Sequence, residues 1–143
     1  MLTIDASVLV AAAIPDEPAH EDALELIRIA GCDGLAIHQP SLALIEVVAA
    51  IARRTGDAEL ARTAGRHLLA LPGLVMHPMD ADAALSAAEI AAELRLRAAD
   101  AVYVSTALAQ GTTLVTLDAE MASRSAASIP AALPAEWLAG RRL

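Results

Sequence analysis

The chain has 143 residues, enough for one domain that buries roughly two thirds of its unfolded surface. Ten basic against eighteen acidic side chains leave a formal charge of −8, so overall charge offers no electrostatic grip on nucleic acid or an anionic membrane, and any such contact has to be local. Every basic residue is an arginine: the absence of lysine disfavours a P-loop phosphate site, which needs a Gly-Lys pair, and also receiver domains and haloacid-dehalogenase-like phosphatases, whose acids normally work beside a lysine.

Leu2-Thr3-Ile4 is a short apolar run ending in Asp5, and Ala6 to Ala13 follow with helical composition until Pro15, so the chain starts as strand then helix. This apolar start has no basic leading segment and carries an early acid, so it reads as structure and not as a signal sequence. Pro18 suits the first turn of the next helix, in which Ala23, Leu24, Ile27 and Ala30 keep three-and-four spacing until Gly31. Leu35-Ala36-Ile37 is a second strand. Pro40 opens a helix to about Arg54, and Thr55-Gly56-Asp57 closes it and caps another that continues to about Leu71. Leu74-Val75-Met76 is a third strand, Asp80 or Asp82 starts an alanine-rich helix to about Leu94, and Asp100 begins one that Gly111 ends. Thr113 to Leu117 is the fourth strand and again ends in a carboxylate, Asp118. Ser128 to Leu143 has no clear pattern. Strands separated by helices predict a single α/β domain over residues 1–143, a parallel sheet of four to five strands covered by helices on both faces.

Four acids stand apart from the rest. Asp5 and Asp118 occupy the carboxyl ends of strands, where open parallel sheets bind ligands, although each can also serve simply as a helix N-cap. Glu46 sits in a helix whose neighbours Leu42, Ala43, Leu44, Ile45, Val47, Val48, Ala49, Ala50, Ile51 and Ala52 are apolar on every side, so the helix is expected to be largely buried. An isolated buried carboxylate is strongly disfavoured, and Glu46 therefore needs a metal or a distant partner, Arg53 two turns on being one choice. Asp100 follows Arg95 and Arg97 and precedes apolar Ala101 and Val102; it too can be a cap. Were the four to converge, they would repel unless a cation neutralised them. Oxygen-only ligation selects a hard ion, Mg²⁺ or Mn²⁺, which stabilises charge on a phosphodiester and generates hydroxide for in-line attack.

The segments Ile4-Asp5-Ala6-Ser7-Val8-Leu9-Val10, Glu46-Val47, Asp100-Ala101-Val102-Tyr103 with Ala107 following, and Leu114-Val115-Thr116-Leu117-Asp118 resemble, in order and spacing, the PIN-domain nucleases, most closely the VapC-type toxins of bacterial toxin-antitoxin pairs. The resemblance covers nearly the whole chain. It implies a Rossmann-like PIN domain and a metal-dependent endoribonuclease, usually a homodimer, held in check by a VapB-type antitoxin whose extended tail crosses the active-site groove. Carried over by position, Asp5, Glu46, Asp100 and Asp118 are implied as catalytic metal ligands, with Ser7 and Thr116 as supporting hydroxyls. Some relatives carry a further acid shortly after the last motif; here that neighbourhood holds Glu120 and Met121, and one Mg²⁺ or Mn²⁺ ion is the expectation.

With one Tyr, one Trp and no Phe, stacking platforms for single-stranded RNA are nearly absent, so RNA contact rests on Arg53, Arg54, Arg95 and Arg97. Each can equally belong to a solvated helix face, with Glu93 and Arg97 a ready i,i+4 pair. His20, His38, His67 and His77 form no metal motif, Ser7 lies in no nucleophile elbow, Cys32 excludes an internal disulfide, and Trp137 reads as a packing anchor. Ala101 to Leu117 is interrupted by Gln110, Gly111, Thr112 and Thr113, so no membrane span is expected, and the protein is expected to be cytoplasmic. Apolar faces between Leu42 and Leu71 are candidates for an antitoxin groove, or else for core or dimer interface. Two alternatives stay open: a PIN-like scaffold that binds a protein with little catalysis, and a metal-dependent DNA nuclease or phosphatase using the same acids.

Overall fold

The computed structural model describes residues 1–141. In chain order the elements are β1 (Leu2–Ile4), α1 (Ala6–Ala13), α2 (His20–Cys32), β2 (Ile37–Pro40), α3 (Leu42–Thr55), α4 (Ala58–Leu69), β3 (Leu74–His77), α5 (Ala81–Leu94), α6 (Ala98–Gln110), β4 (Thr113–Val115), α7 (Ala119–Ser125), β5 (Ala131–Ala132) and α8 (Pro134–Arg141). All strand pairs are parallel, in the order β3-β2-β1-β4-β5. The α/β reading therefore holds, with a fifth strand inside the stretch that had no readable pattern.

The topology follows from handedness. From β1 the chain steps outward to β2 and β3, then returns across the sheet to β4 on the other side of β1. Right-handed crossovers in opposite directions put the intervening helices on opposite faces. Accordingly α1 packs on α2 and α3, and α3 on α4, while α5 packs on α6, which lies across β1, β2 and β4. The reversal falls between β1 and β4, the place where open sheets form a crevice beyond their carboxyl ends. Both faces being covered, β1 is buried along its whole length. Thr3 is fully buried there because its hydroxyl pairs with that of Thr112 at 2.7 Å.

Local chemistry explains where the boundaries differ from expectation. Pro40 does not open α3; it is the last residue of β2, opposite His77, where a missing N–H breaks no ladder bond. The next amide, Ser41, donates to His77 O at 2.8 Å. Gly31 does not stop α2, which runs on to Cys32, and it is Gly34 that adopts the left-handed backbone, at φ 63°. Helix α3 is not buried all round: Ala43, Val47 and Ile51 face the core, whereas Ile45 is 66% exposed. Its apolar composition alone overstated its burial. Helix α4 approaches α3 closely enough that a Cβ on Gly65 would lie 2.8 Å from Val48 Cγ2.

Gly73 holds the entry to β3. Its φ is 75°, a Cβ there would meet Leu35 O at 2.4 Å, and its own carbonyl accepts from Ile37 N at 2.8 Å. Gly73→Ala combines left-handed strain with a backbone clash and is expected to lower unfolding free energy by about 3 kcal/mol. Urea denaturation monitored by circular dichroism checks this; an unchanged midpoint would contradict it.

Candidate active site

Asp5 ends β1 and begins α1. Its amide donates to Val115 O at 2.9 Å, fixing it against β4, and its side chain makes no capping bond to α1. The N-cap explanation thus fails for Asp5. Its carboxylate turns across the sheet edge, where Oδ2 accepts from Ser7 Oγ at 2.5 Å and from Thr116 Oγ1 at 2.9 Å. Those two hydroxyls are themselves fixed, Ser7 Oγ accepting from Leu117 N and Thr116 Oγ1 from Asp118 N. Burial pushes the Asp5 carboxyl above its ordinary pKa; Ser7 and Thr116 oppose the shift, and the Asp100 charge adds to it.

Glu46 reaches the same region from α3. It is half-buried and, among the described residues, pairs with neither Arg53 nor any other cation: Oε2 accepts from the hydroxyl of Tyr103, on α6, at 2.6 Å. Burial raises its pKa, Tyr103 opposes that, and the charges of Asp5 and Asp100 raise it further. Three carboxylates from β1, α3 and α6 thus sense one another.

Asp100 lies in the first turn of α6, one turn beyond Arg97, the helix's N-cap residue. Asp118 is an N-cap, Oδ1 accepting from the amides of Glu120 and Met121 at the start of α7. Its other oxygen is shared with Arg97: Nε donates to Asp100 Oδ2 at 2.8 Å and Nη2 to Asp118 Oδ2 at 2.9 Å. Arg97 does not pair with Glu93, because α5 ends at Leu94 and left-handed Arg95, at φ 54°, turns the chain before α6 begins. Its guanidinium, its side chain 77% exposed, is held protonated by Asp100 first and then by Asp118, with Asp5 contributing at longer range.

The four arginines expected to contact RNA line two clefts. Arg95 and Arg97 line one of about 300 Å³ with Asp100, Asp118 and Glu120, where Arg124 pairs with Glu120 and donates to Arg95 O. Arg53 and Arg54 line a second, of about 260 Å³, with Ser7 and Glu46; Arg54 pairs with Glu17. Among the described residues no three His, Cys, Asp or Glu side chains stand together as a ready ion cage. The cation present between Asp100 and Asp118 is Arg97. Tyr103, quoted within the third motif but given no role there, is the site residue that sequence reasoning passed over. Being the chain's single phenol, and so close to Asp100, it was the available signal.

The PIN domain model matches residues 2–126, which include all four acids. The chain belongs to the PIN domain family. No curated protein matches it by sequence. This PIN domain superimposes on VapC20 of Mycobacterium tuberculosis, described as a sarcin-ricin loop cleaving toxin, with a TM-score of 0.73 and 19% identity over 90% of this chain and 96% of that one. It is also similar to VapBC2 of Rickettsia felis, solved on a DNA fragment from its promoter (TM-score 0.69, 18% identity, 92% and 97% covered). A third neighbour is PAE2754 of Pyrobaculum aerophilum (TM-score 0.69, 22% identity, 98% and 93% covered). VapC toxins are thus among its structural neighbours. Among the described residues no helix is long and apolar enough to cross a membrane.

Proposed function

We propose that this PIN domain is a Mg²⁺- or Mn²⁺-dependent endoribonuclease and the toxin of a toxin-antitoxin pair. The observation that carries the reading is the placement of Asp5 at the end of β1, held by Thr116, Glu46 on α3, held by Tyr103 of α6, and Asp100 and Asp118, joined by one guanidinium. Carboxylates gathered at one sheet edge are a hard-oxygen donor set that a cation would neutralise, and the pairing of Arg97 with Asp100 and Asp118 supports that reading. The residues fit a divalent ion: Asp5, Glu46, Asp100 and Asp118 would hold it once Arg97 swings out. When bound, such an ion polarises a phosphodiester and lowers the pKa of water. The chain's own residues do the rest. Ser7 and Thr116 hold Asp5 in place, and Arg53, Arg54, Arg95 and Arg97, which line the two clefts, would meet RNA phosphates there.

The reading is tested with purified antitoxin-free protein, structured RNA and added Mg²⁺ or Mn²⁺. Cleavage with Mn²⁺ or Mg²⁺ that stops on EDTA is expected; equal cleavage with EDTA would refute it. Parallel single-stranded DNA and phosphomonoester substrates separate the nuclease from the DNA-directed and phosphatase alternatives. The scaffold alternative draws on Arg97, which already satisfies two of the acids. Calorimetric titration with Mn²⁺ decides between them, an affinity that falls markedly but stays measurable in Glu46→Gln favouring the enzyme.

For the partner, an apolar groove of about 350 Å³ runs between α1, α2, α3 and α4, lined by Leu9, Leu24, Ile27, Val47, Leu60 and Leu71 among others. Leu24 and Leu60 stay 47% and 44% exposed at its rim, which suits an apolar helix of a VapB-type antitoxin. Two structures similar in fold, a DNA-bound VapBC of Salmonella typhimurium and a toxin-antitoxin complex of Klebsiella pneumoniae, support an antitoxin partner. Leu60→Asp is expected to abolish co-purification with a co-expressed antitoxin while leaving RNA cleavage intact; retained co-purification would move the partner elsewhere. A cytoplasmic homodimer is part of the same proposal.

A further inference from the structure

Tyr103 is fully buried on α6, yet its hydroxyl is spent on a carboxylate of another helix and not on the core. A buried phenol needs a partner, and phenylalanine of the same shape would fill the space without that cost. The bond spans 57 positions of sequence and, at 2.6 Å, is the short, charge-assisted kind. Glu46 has no arginine, no capping amide and no other hydrogen bond among the described residues, and α3 turns Ile45 and Ala49 beside it toward solvent. Unanchored, a glutamate in that position would sample several rotamers, most of them leading away from Asp5.

We propose that Tyr103 is the positioning residue for Glu46: its hydroxyl holds the carboxylate over the crevice so that Glu46 joins Asp5 and Asp100 in one cation site. Only Oε2 accepts from the phenol, leaving Oε1 for a ligand. The proposal rests on the metal-site reading above. Removal of such an outer partner typically weakens metal affinity 10- to 100-fold, and for a half-exposed ligand that water can partly satisfy, the lower end applies.

The test is Mn²⁺ binding, by calorimetry or electron paramagnetic resonance, to wild type, Tyr103→Phe, Glu46→Gln and the double variant. Tyr103→Phe is expected to bind Mn²⁺ about tenfold more weakly, and to add no further loss in the Glu46→Gln background. It should also lower kcat more than it raises KM for RNA. Equal Mn²⁺ affinity in Tyr103→Phe and wild type, or the same loss with and without Glu46, overturns the assignment and leaves a structural phenol. Failure of wild type to bind Mn²⁺, or unchanged binding in Glu46→Gln, instead overturns the metal site itself, and the role of Tyr103 with it. Should Tyr103→Phe lose the fold, judged by circular dichroism, Glu46→Asp answers the same question: shortened by one methylene, it cannot reach both the phenol and the crevice, and wild-type affinity there refutes positioning.

Discussion

Asp5→Asn is expected to reduce RNA cleavage roughly a thousandfold or more while preserving the fold. Asparagine keeps the shape and an oxygen that can accept from Ser7 and Thr116, the two hydroxyls that now hold Oδ2. What it removes is the charge of the most buried of the four acids. Single-turnover cleavage with saturating Mn²⁺ measures the loss, and retention of activity within tenfold of wild type would remove Asp5 from the chemistry. The same variant should be more stable than wild type without metal, because burial makes the ionised form of Asp5 a cost to the folded state.

That cost has a definite pH signature. A carboxyl whose pKa is raised on folding makes the native state bind more protons than the unfolded chain, so stability falls as pH rises from the ordinary value near 3.8 to the raised native value, and stays reduced above it. Glu46 acts in the same direction. Exposed Glu59, held down by Arg66 and Arg62, acts oppositely, its contribution being lost as pH falls. Urea midpoints of the metal-free protein across pH 4 to 7 should therefore decline toward neutrality less steeply in Asp5→Asn than in wild type. Millimolar Mn²⁺ should restore wild-type stability at pH 7, since a ligand that binds only the native state stabilises it.

Much of this arrangement was readable before any coordinates, for a physical reason: an apolar run that stops at an acid marks both a buried strand and its carboxyl edge. That logic located β1 and β4 and put Asp5 at the end of β1; β4 stops at Val115, short of the expected Leu117, and Asp118 lies beyond it as the N-cap of α7. It missed β5, because Ala131 and Ala132 have no strand signature of their own and become a strand only by pairing with Leu114 and Val115. It placed Pro40 in a helix, since proline suits a first turn as well as a strand end, and the choice is made by His77, far along the chain. It read α3 as buried because composition carries no record of which face the neighbouring helices cover. The partners of the acids were the least legible feature. Glu46 meets a phenol on another helix, and Arg97 meets Asp118 from beyond α6 and β4, contacts that exist only once the helices have packed around the sheet.

Arg97→Ala is expected to tighten Mn²⁺ binding about tenfold and to leave thermal stability nearly unchanged. The first effect follows from removing a unit positive charge that bonds two of the acids a divalent ion would need, Asp100 at 2.8 Å and Asp118 at 2.9 Å. The second follows from exposure: with 77% of its side chain in solvent, Arg97 is screened and gains little from either pair. Its weak hold makes it exchangeable, so that the guanidinium released by the ion can turn to a phosphate at the mouth of the cleft it shares with Arg95. Two readouts should therefore move in opposite directions, tighter Mn²⁺ and a several-fold higher KM for RNA. Arg97→Lys keeps the charge but not the two-pronged bridge, and should fall between the two in Mn²⁺ affinity. Raising the salt to about 0.5 M should narrow the difference between wild type and Arg97→Ala, because the Debye length contracts to a few ångströms. If Arg97→Ala binds Mn²⁺ no more tightly than wild type at low salt, Arg97 does not compete with metal for Asp100 and Asp118.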